Sequence, residues 1–523
     1  NQEKGTIKKI SNIDDNSNNL ISRTISIEFD EAKDLYDLKN ISTIMSTYDD
    51  VFKVSIDTEH FLDSNDVYIN NDLTWPLNNT GGTLKAPSNR DLLNGVEFED
   101  IQWLDAWNDG LLDGGEETIV AVLDTGINYL HPDMIDNMWI NPACAELNCR
   151  QYYIEGLTPA ESTQNVQSAY VECMEQCDEG YHGLSCQNLL EDSVFTCVES
   201  GPLYQDAFDT LEECEEAGCT DCYEIPTAPF PQNNPLDFQG HGTHCSGTVA
   251  ATPNNEIGFA GVCPNCKIMS LQIFNPYNDY TNGWSAYCGQ DNVMNQIQYA
   301  VDNGAQITSN SWGGGPYSST LEQYWMLAYE NNIINFTSSG NGDTDMSIRH
   351  YWPACYGTYG SHRIPYYDSE LQQTMYLYEE TPLQNMTVAI NASSNDGNMA
   401  EFSNYGNGYR TREESIADGN LQPVTTAFHD GGGMCKSFIS PPGRDVLSLQ
   451  ALIEDDDGSV SGAYQSTAYD EDGEKNSISG YAVINGTSMS CPHAAGLGGL
   501  IKSINPNLTN DEVLEIMAKG ADN

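Results

Sequence analysis

Basic residues are scarce in this sequence of 523 residues. Lys and Arg number 20 against 77 Asp and Glu, which gives a formal net charge of −57 at pH 7. At long range, such a charge repels the phosphates of nucleic acids and the anionic headgroups of membranes. We therefore expect no nucleic-acid partner and no binding to an acidic membrane surface.

Long apolar runs are also missing. No stretch of about 18 apolar residues occurs, so we expect no membrane-spanning helix. The chain opens at Asn1 with polar residues and no apolar leader, so we expect any signal peptide to lie outside this sequence. Hydrophobic residues make up 39% of the chain, which is enough for the core of a globular protein.

Cysteine, by contrast, is abundant. Nine of the 16 cysteines lie between Cys144 and Cys222. This density favours disulfide bonds and a secreted protein. The pairs Cys219/Cys222 and Cys263/Cys266 have a CxxC spacing that zinc sites share, but neither has a second pair at the distance typical of zinc fingers. Disulfides are the favoured interpretation, and zinc is the alternative.

The pattern along the chain divides it into three parts. Residues 1–70 alternate strand-like and helical patterns, which predicts a small α+β region. From Thr118 onward, short apolar runs alternate with helical stretches, which predicts a mainly parallel sheet covered by helices on both faces, an α/β fold. We expect this domain to span 71–523 and to carry a Cys-rich insert at 141–232.

Four polar residues follow or flank the predicted strands. Asp124 ends the apolar run TIVAVLD, and Asn341 stands in the loop SSGN after the strand IINFTSS. His241 lies in QGHGTHCSGT, and Ser488 lies in NGTSMSCPH, where a turn leads into a helix of small residues. In a parallel sheet, functional groups collect at the carboxyl ends of the strands. Taken singly, Asp124 fits a turn cap and Ser488 fits a helix N-cap.

Taken together, these residues form a complete set for acyl transfer: an Asp, a His and a Ser, with a side-chain amide as donor. The motifs AVLDTGINYLHPD, GHGTHCSGT, SSGN and NGTSMSCPHAAG resemble those of the subtilisin-like serine proteases, and the order Asp, His, Ser matches that family. The resemblance covers roughly residues 72–520. It implies a subtilisin-like fold and a serine endopeptidase that hydrolyses polypeptides.

The resemblance also implies a role for each residue. Ser488 is similar to the nucleophile, and His241 to the general base and acid. Asp124 corresponds to the residue that orients the imidazole. Asn341 resembles the oxyanion-hole donor, with the backbone N–H of Ser488 as its partner.

Two Gly-containing segments resemble the substrate-binding segments of the family. The first segment, 311–314, would pair with an extended peptide and form a wall of the pocket for the residue before the scissile bond. We expect the floor of that pocket near residues 351–353. The implied substrate-binding residues are Ser311, Trp312, Gly313, Gly314, Ser339 and Gly340.

A calcium site is a further implication of the resemblance. The motif HPD and the loop PNNEIGFAG are similar to the family's high-affinity site. The implied ligands are a carboxylate, an amide oxygen and three loop carbonyls, a set that suits Ca²⁺. They are Asp133, the side chain of Asn255, and the carbonyls of Pro253, Ile257 and Phe259.

Two cysteines lie close to these motifs. Cys245 and Cys491 each sit on a predicted helix of small residues, where we expect buried, inert thiols. A thiol-dependent enzyme is the alternative, although neither cysteine stands at the position of the nucleophile. A metal site formed by His241, His244 and Cys245 is another interpretation of the His motif.

Residues 1–70 resemble a subtilase propeptide in outline, and propeptides of this family inhibit the enzyme by occupying its cleft. The expected partners are polypeptide substrates and the protein's own propeptide, and we expect a monomer. Two alternatives stay open. One is a processing protease specific for basic residues, which Asp343 and Asp345 would attract. The other is a catalytically silent Cys-rich matrix or adhesion protein on a protease scaffold.

Overall fold

The structure is a computed structural model of the whole chain. The residues that it describes are 5–10, 25–29, 74–77, 79, 100–108, 110, 112, 114–153, 168–185, 194–197, 207–208, 222–225, 234–237, 239–279, 284–315, 317–346, 350–357, 363–368, 373–378, 385–406, 435, 437–454, 460–462, 468–469 and 480–521. All statements below concern these residues.

The chain forms two compact units. The first comprises Asn1–Asp63 with Asp105–Leu111, and the second comprises Ser64–Leu104 with Leu112–Asn523. In the first unit, strands β1 (Gly5–Ile10) and β2 (Ile25–Phe29) pair antiparallel. The helix and the last strand expected within 1–70 lie outside the described residues.

The helices are short except for one near the carboxyl end of the chain. They are α1 (Trp103–Asn108), α2 (Ser168–Met174), α3 (His241–Ala250), α4 (Gln290–Asp302), α5 (Ser319–Glu330), α6 (Thr487–Ile504) and α7 (Asn510–Gly520). Short 3₁₀ helices lie at Ile135–Asn137, Pro142–Leu147 and Cys149–Tyr152. None of the described helices combines the length and hydropathy that a bilayer crossing requires.

The strands of the second unit are, in chain order, β3 (Ile119–Asp124), β4 (Gly183–Leu184), β5 (Val194–Cys197), β6 (Ala207–Phe208), β7 (Cys222–Ile225), β8 (Lys267–Gln272), β9 (Phe274–Asp279), β10 (Trp284–Tyr287), β11 (Ile307–Asn310), β12 (Ile334–Ser338), β13 (Arg363–Asp368), β14 (Gln373–Tyr378), β15 (Val388–Ile390), β16 (Val446–Leu449), β17 (Leu452–Glu454), β18 (Val460–Gly462), β19 (Ala468–Tyr469) and β20 (Tyr481–Ile484). Small antiparallel sheets are formed by β5–β7, β9–β10, β13–β14, β17–β18, and β16 with β19 and β20.

A six-stranded parallel sheet forms the centre of the second unit, in the order β15-β12-β11-β3-β8-β4. Ala121 and Leu123 of β3 pack in the core cluster that includes residues of α4 and α5. Val120 points the other way, toward Gly499 of α6. Because both faces of the sheet are covered, the predicted parallel α/β sheet is confirmed.

Disulfides account for most of the described cysteines. Bonds join Cys144 to Cys177, Cys149 to Cys173, and Cys355 to Cys435. A further bond closes the CxxC pair Cys263–Cys266, so the zinc alternative is wrong for this pair. Cys245 and Cys491 are free and buried, as expected.

Part of the Cys-rich insert is built into the central sheet. Strand β4 pairs with β8 at the edge of that sheet. The adjacent His182 is buried and is held at both ring nitrogens: Nδ1 donates to the carbonyl of Trp139 (2.7 Å), and Nε2 accepts from the hydroxyl of Tyr170 (2.6 Å). Burial lowers the pKa of His182 to about 4, so the ring is neutral and both bonds persist near neutral pH.

The start of helix α3 depends on a buried carboxylate. The first N–H groups of a helix have no hydrogen-bond acceptor within the helix, and Asp237 provides an acceptor at the start of α3. Its Oδ1 accepts from the backbone N–H of Gln239 (2.9 Å) and of Gly240 (2.8 Å). Its Oδ2 accepts from the N–H (3.0 Å) and the hydroxyl (2.6 Å) of Thr243. Asp237 therefore fixes the position of the first turn, where His241 stands.

The variant Asp237→Asn should be less stable than the wild type. An amide keeps one oxygen and loses the other, so buried donors of Thr243 or of the 239–240 turn lose their acceptor, at a cost of about 1–3 kcal/mol. Urea denaturation measures this change in the free energy of unfolding. Asp343→Asn is the matched control, because Asp343 is exposed and its change should stay within about 0.5 kcal/mol. Equal stability of the two variants would contradict the role assigned to Asp237.

Candidate active site

The carboxyl ends of three neighbouring strands bring polar residues to one edge of the central sheet. Strand β3 ends at Asp124, β11 is followed by Ser311, and β12 is followed by the segment 339–341. These strands are parallel and adjacent, so their carboxyl ends share that edge. The sequence alone predicted this arrangement for Asp124 and Asn341.

Asp124 and His241 form a buried contact at this edge. Nδ1 of His241 lies 2.8 Å from Oδ1 of Asp124. The Asp124 side chain is 1% exposed, whereas the His241 side chain is 24% exposed. Because Nδ1 donates to the carboxylate, the neutral ring carries its lone pair on Nε2.

Charge near His241 changes its proton affinity. Burial alone would lower the pKa of His241, but the carboxylate of Asp124 and the side chain of Cys245 raise it, and the net result is a pKa well above the ordinary 6.5. Burial also raises the pKa of Cys245, so its thiol is neutral near pH 7. The carboxylate of Asp124 is therefore the charged group that raises the pKa of His241.

The metal-site interpretation of the His motif is only partly matched. Ligand atoms of Asp124, His241 and Cys245 lie within 4.8 Å of one another. His244 is not among them, since its Nε2 lies near the carbonyls of Val446 (3.2 Å) and Ala482 (3.1 Å). Burial raises the pKa of the Cys245 thiol, so without a bound metal this thiol is protonated near pH 7.

Ser488 is the second residue of α6. Its hydroxyl donates to the carbonyl of Ser311 (3.0 Å), and its own carbonyl accepts from the Ser311 hydroxyl (2.7 Å). The thiol of Cys245, one turn after His241 on α3, also donates to the Ser488 carbonyl (3.4 Å). Ser488 is thus tied both to the end of β11 and to the helix that carries His241.

Asn341 is oriented by the first residue of α6. Its Oδ1 accepts from the backbone N–H (2.8 Å) and the hydroxyl (3.0 Å) of Thr487, which directs its amide nitrogen away from that residue. A Cβ placed on Gly486 would lie 3.3 Å from Nδ2 of Asn341 and 3.5 Å from the backbone nitrogen of Ser488. These two nitrogens therefore lie close to one point, and N–H donors that converge on such a point stabilise a developing negative charge.

Thr487 and Asp237 were missed in the sequence analysis. Thr487 precedes Ser488 directly, and Asp237 lies four residues before His241. A hydroxyl at the start of a helix and an acidic residue before one are both recognised capping signals. Those signals were present, but their partners Asn341 and Thr243 follow only from the structure.

The expected substrate-binding residues occupy two segments beside the site. Gly313 and Gly314 are exposed, and the N–H of Gly314 donates to the carbonyl of Trp352 (2.8 Å). Trp312 packs toward Trp325 in the core, with ring centroids 6.5 Å apart. Ser339 is buried and Gly340 follows it, and both of their carbonyls accept hydrogen bonds from Asn404.

Two residues of the expected calcium site, Asn255 and Phe259, contact Asp133, which is fully buried. Its Oδ1 accepts from Nδ2 of Asn255 (2.8 Å), and its Oδ2 accepts from the N–H of Phe259 (3.4 Å). At Gly258, a side chain would collide with Asp133 and lie 2.6 Å from Cε1 of Tyr481, so only glycine permits this approach.

The donor set of this loop fits Ca²⁺ in kind, with a carboxylate, an amide and backbone carbonyls. In the structure, Oδ1 of Asn255 accepts from the N–H of Ile257 (3.2 Å) while its Nδ2 faces Asp133. Coordination through Asn255 therefore requires the amide to turn over. Pro253, Ile257 and Phe259 lie in the same loop.

The sequence of this chain is similar to those of known proteins. The family model described as "Subtilase family" matches residues 115–523, more than half of the chain. Fervidolysin from Fervidobacterium pennivorans is 38% identical over 116 residues, 22% of this chain and 16% of fervidolysin. Thermitase from Thermoactinomyces vulgaris is 25% identical over 279 residues, 53% of this chain and 66% of thermitase.

Among solved structures, a protease from Pseudoalteromonas arctica is 20% identical, with 88% of this chain and 93% of the other covered at a TM-score of 0.45. The chain spans less than two thirds of the length of the two curated relatives. The match to the family model carries the assignment: the chain belongs to the subtilase family of serine proteases.

Proposed function

We propose that this protein is a serine endopeptidase in which Ser488 is the nucleophile. The observation that carries the proposal is the 2.8 Å contact between Asp124 and His241 at the sheet edge where Ser488 also lies. A carboxylate that holds an imidazole, beside a hydroxyl at a helix start, is the arrangement that activates serine. Family membership supports polypeptides as the substrates.

The proposed reaction has two halves. Nε2 of His241 accepts the proton of the Ser488 hydroxyl as Oγ attacks the carbonyl carbon of the peptide bond. His241 then gives that proton to the leaving amine, and an acyl-enzyme ester remains on Ser488. Water attacks the ester, His241 takes its proton, and the acid product leaves as the proton returns to Oγ.

Each neighbouring group has one part in these steps. Asp124 keeps the proton on Nδ1 and stabilises the imidazolium that forms. Nδ2 of Asn341 and the N–H of Ser488 stabilise the oxyanion, and the start of α6 adds the positive end of a helix dipole. Thr487 positions Asn341 through its two hydrogen bonds.

The backbone of 311–314 is proposed to pair with the substrate as an extended strand, and the segment 339–340 is proposed to form the opposite wall of the pocket. Pairing of this kind needs free backbone groups and few side chains. The exposure of Gly313 and Gly314 supports this role. The residue before the scissile bond would then lie between the two segments.

We also propose that the protein is secreted and that residues 1–70 act as a propeptide that inhibits the catalytic domain of 71–523. The disulfides of the insert support an oxidising compartment. A monomer is the proposed state.

N-terminal sequencing of active material identifies the boundary between the propeptide and the catalytic domain. Active material that retains residues 1–70 would refute the propeptide role.

Subtilases commonly bind calcium, and we propose a Ca²⁺ site at the Asp133 loop. Asp133, the amide oxygen of Asn255 and the carbonyls of Pro253, Ile257 and Phe259 would hold the ion. When bound, the ion balances the negative charge of the buried Asp133 carboxylate and stabilises the loop. It has no part in the reaction.

A fluorophosphonate probe tests the proposed nucleophile. We expect one covalent adduct, mapped to Ser488 by mass spectrometry, and a labelling rate that increases with pH. The pH dependence follows because His241 accepts a proton only when neutral, and its raised pKa moves that form to higher pH. Ser488→Ala should abolish labelling. Ser503→Ala, on the same helix, should leave it unchanged, and an unlabelled wild-type Ser488 would refute the proposal.

Removal of calcium tests the metal site. In EDTA the wild-type Tm should fall, and added Ca²⁺ should restore it, because a ligand at 100 times its Kd stabilises the folded state by about 2.7 kcal/mol. The variant Asn255→Ala should show a smaller difference between EDTA and Ca²⁺. Equal wild-type Tm values in the two buffers would exclude calcium stabilisation.

A further inference from the structure

The ring of Tyr351 lies between the two glycine segments that flank the proposed substrate site. A Cβ on Gly313 would collide with Cε1 of Tyr351 and lie 2.8 Å from its Cζ. A Cβ on Gly340 would lie 3.0 Å from both Cε2 and Cζ of the same ring. The outer end of the ring is therefore in contact with both glycines.

The side chain of Tyr351 packs against buried residues. It lies against a buried cluster that contains Met346, Ala354 and the disulfide Cys355–Cys435. The backbone N–H of Tyr351 faces the sulfur of Cys355 at 3.2 Å. Tyr351 is only partly buried, so part of the residue is accessible to solvent.

The neighbouring backbone fixes the distance between the ring and the first glycine wall. The carbonyl of Trp352 accepts from the N–H of Gly314 (2.8 Å), which ties the segment after Tyr351 to the segment after β11. On the other wall, Asn404 bonds to both Ser339 and Gly340. The first wall is thus bonded to the residue next to Tyr351, and the second wall is fixed by Asn404 and contacts the ring at Gly340.

Under the proposed function, on which this inference rests, the space between Gly313 and Gly340 receives the side chain of the residue before the scissile bond. We propose that Tyr351 fills the inner part of this pocket and restricts cleavage to peptide bonds that follow small residues, namely Gly, Ala and Ser. A larger apolar side chain would meet the ring. Tyr351 is thus a specificity-determining residue and takes no part in the proton transfers.

Peptide substrates that differ only at the residue before the scissile bond test this proposal. The ratio of kcat/KM for Ala over Phe is measured per active site, with active sites counted by fluorophosphonate labelling of Ser488. We expect the wild type to favour Ala by at least about 10-fold. Tyr351→Gly should open the pocket and raise kcat/KM for Phe about 10–200-fold. Contacts in an apolar pocket change the discrimination between two substrates over this range.

Tyr351→Phe is the matched control, because it keeps the ring and should keep the wild-type ratio. Tyr351→Ala is a second opening variant, and the count of active sites removes any misfolded fraction from the comparison. A wild type that is labelled at Ser488 but prefers Phe or Arg would overturn the proposal, as would an unchanged ratio in both opening variants. Absence of labelling in the wild type would instead refute the proposed function.

Discussion

The parallel alignment of β3, β11 and β12 is the constraint on which the site depends. Parallel strands end at one edge, so Asp124 and the loops after β11 and β12 meet there although Asp124 and Asn341 are 217 positions apart in sequence. Two helices then start at this edge. Each brings a side chain to it, and its first N–H groups bond to partners outside the helix: that of His241 to Gln239, and that of Thr487 to Asn341.

The positions of these two helix starts are set by polar side chains. Asp237 holds the first turn of α3, and Thr487 links the start of α6 to Asn341. A shift of either helix would separate His241 from Asp124 or Asn341 from Ser488. The geometry of the proposed chemistry therefore depends on residues that would not touch the substrate, which is the usual relation between a reactive group and its supports.

The central sheet could be predicted because strands buried on both faces leave continuous apolar runs, such as TIVAVLD before Asp124. The four candidate residues stand in motifs that resemble those of the subtilases, so they too could be predicted. The resemblance placed the floor of the pocket near 351–353, but the contact of the Tyr351 ring with Gly313 and Gly340 could not be predicted, since it depends on how three separate segments pack. The link from His182 to Trp139 and the amide orientation of Asn255 were inaccessible for the same reason: each depends on packing between distant parts of the chain.

The central claim is that Ser488, His241 and Asn341 act on one tetrahedral centre. A crystal structure with a peptide boronate tests it directly, because the boronate mimics the tetrahedral intermediate. The account predicts a covalent bond from Ser488 Oγ to boron, with one boronate oxygen about 2.7–3.1 Å from both Nδ2 of Asn341 and the backbone nitrogen of Ser488. An adduct on another residue, or a boronate oxygen that contacts neither donor, would contradict it.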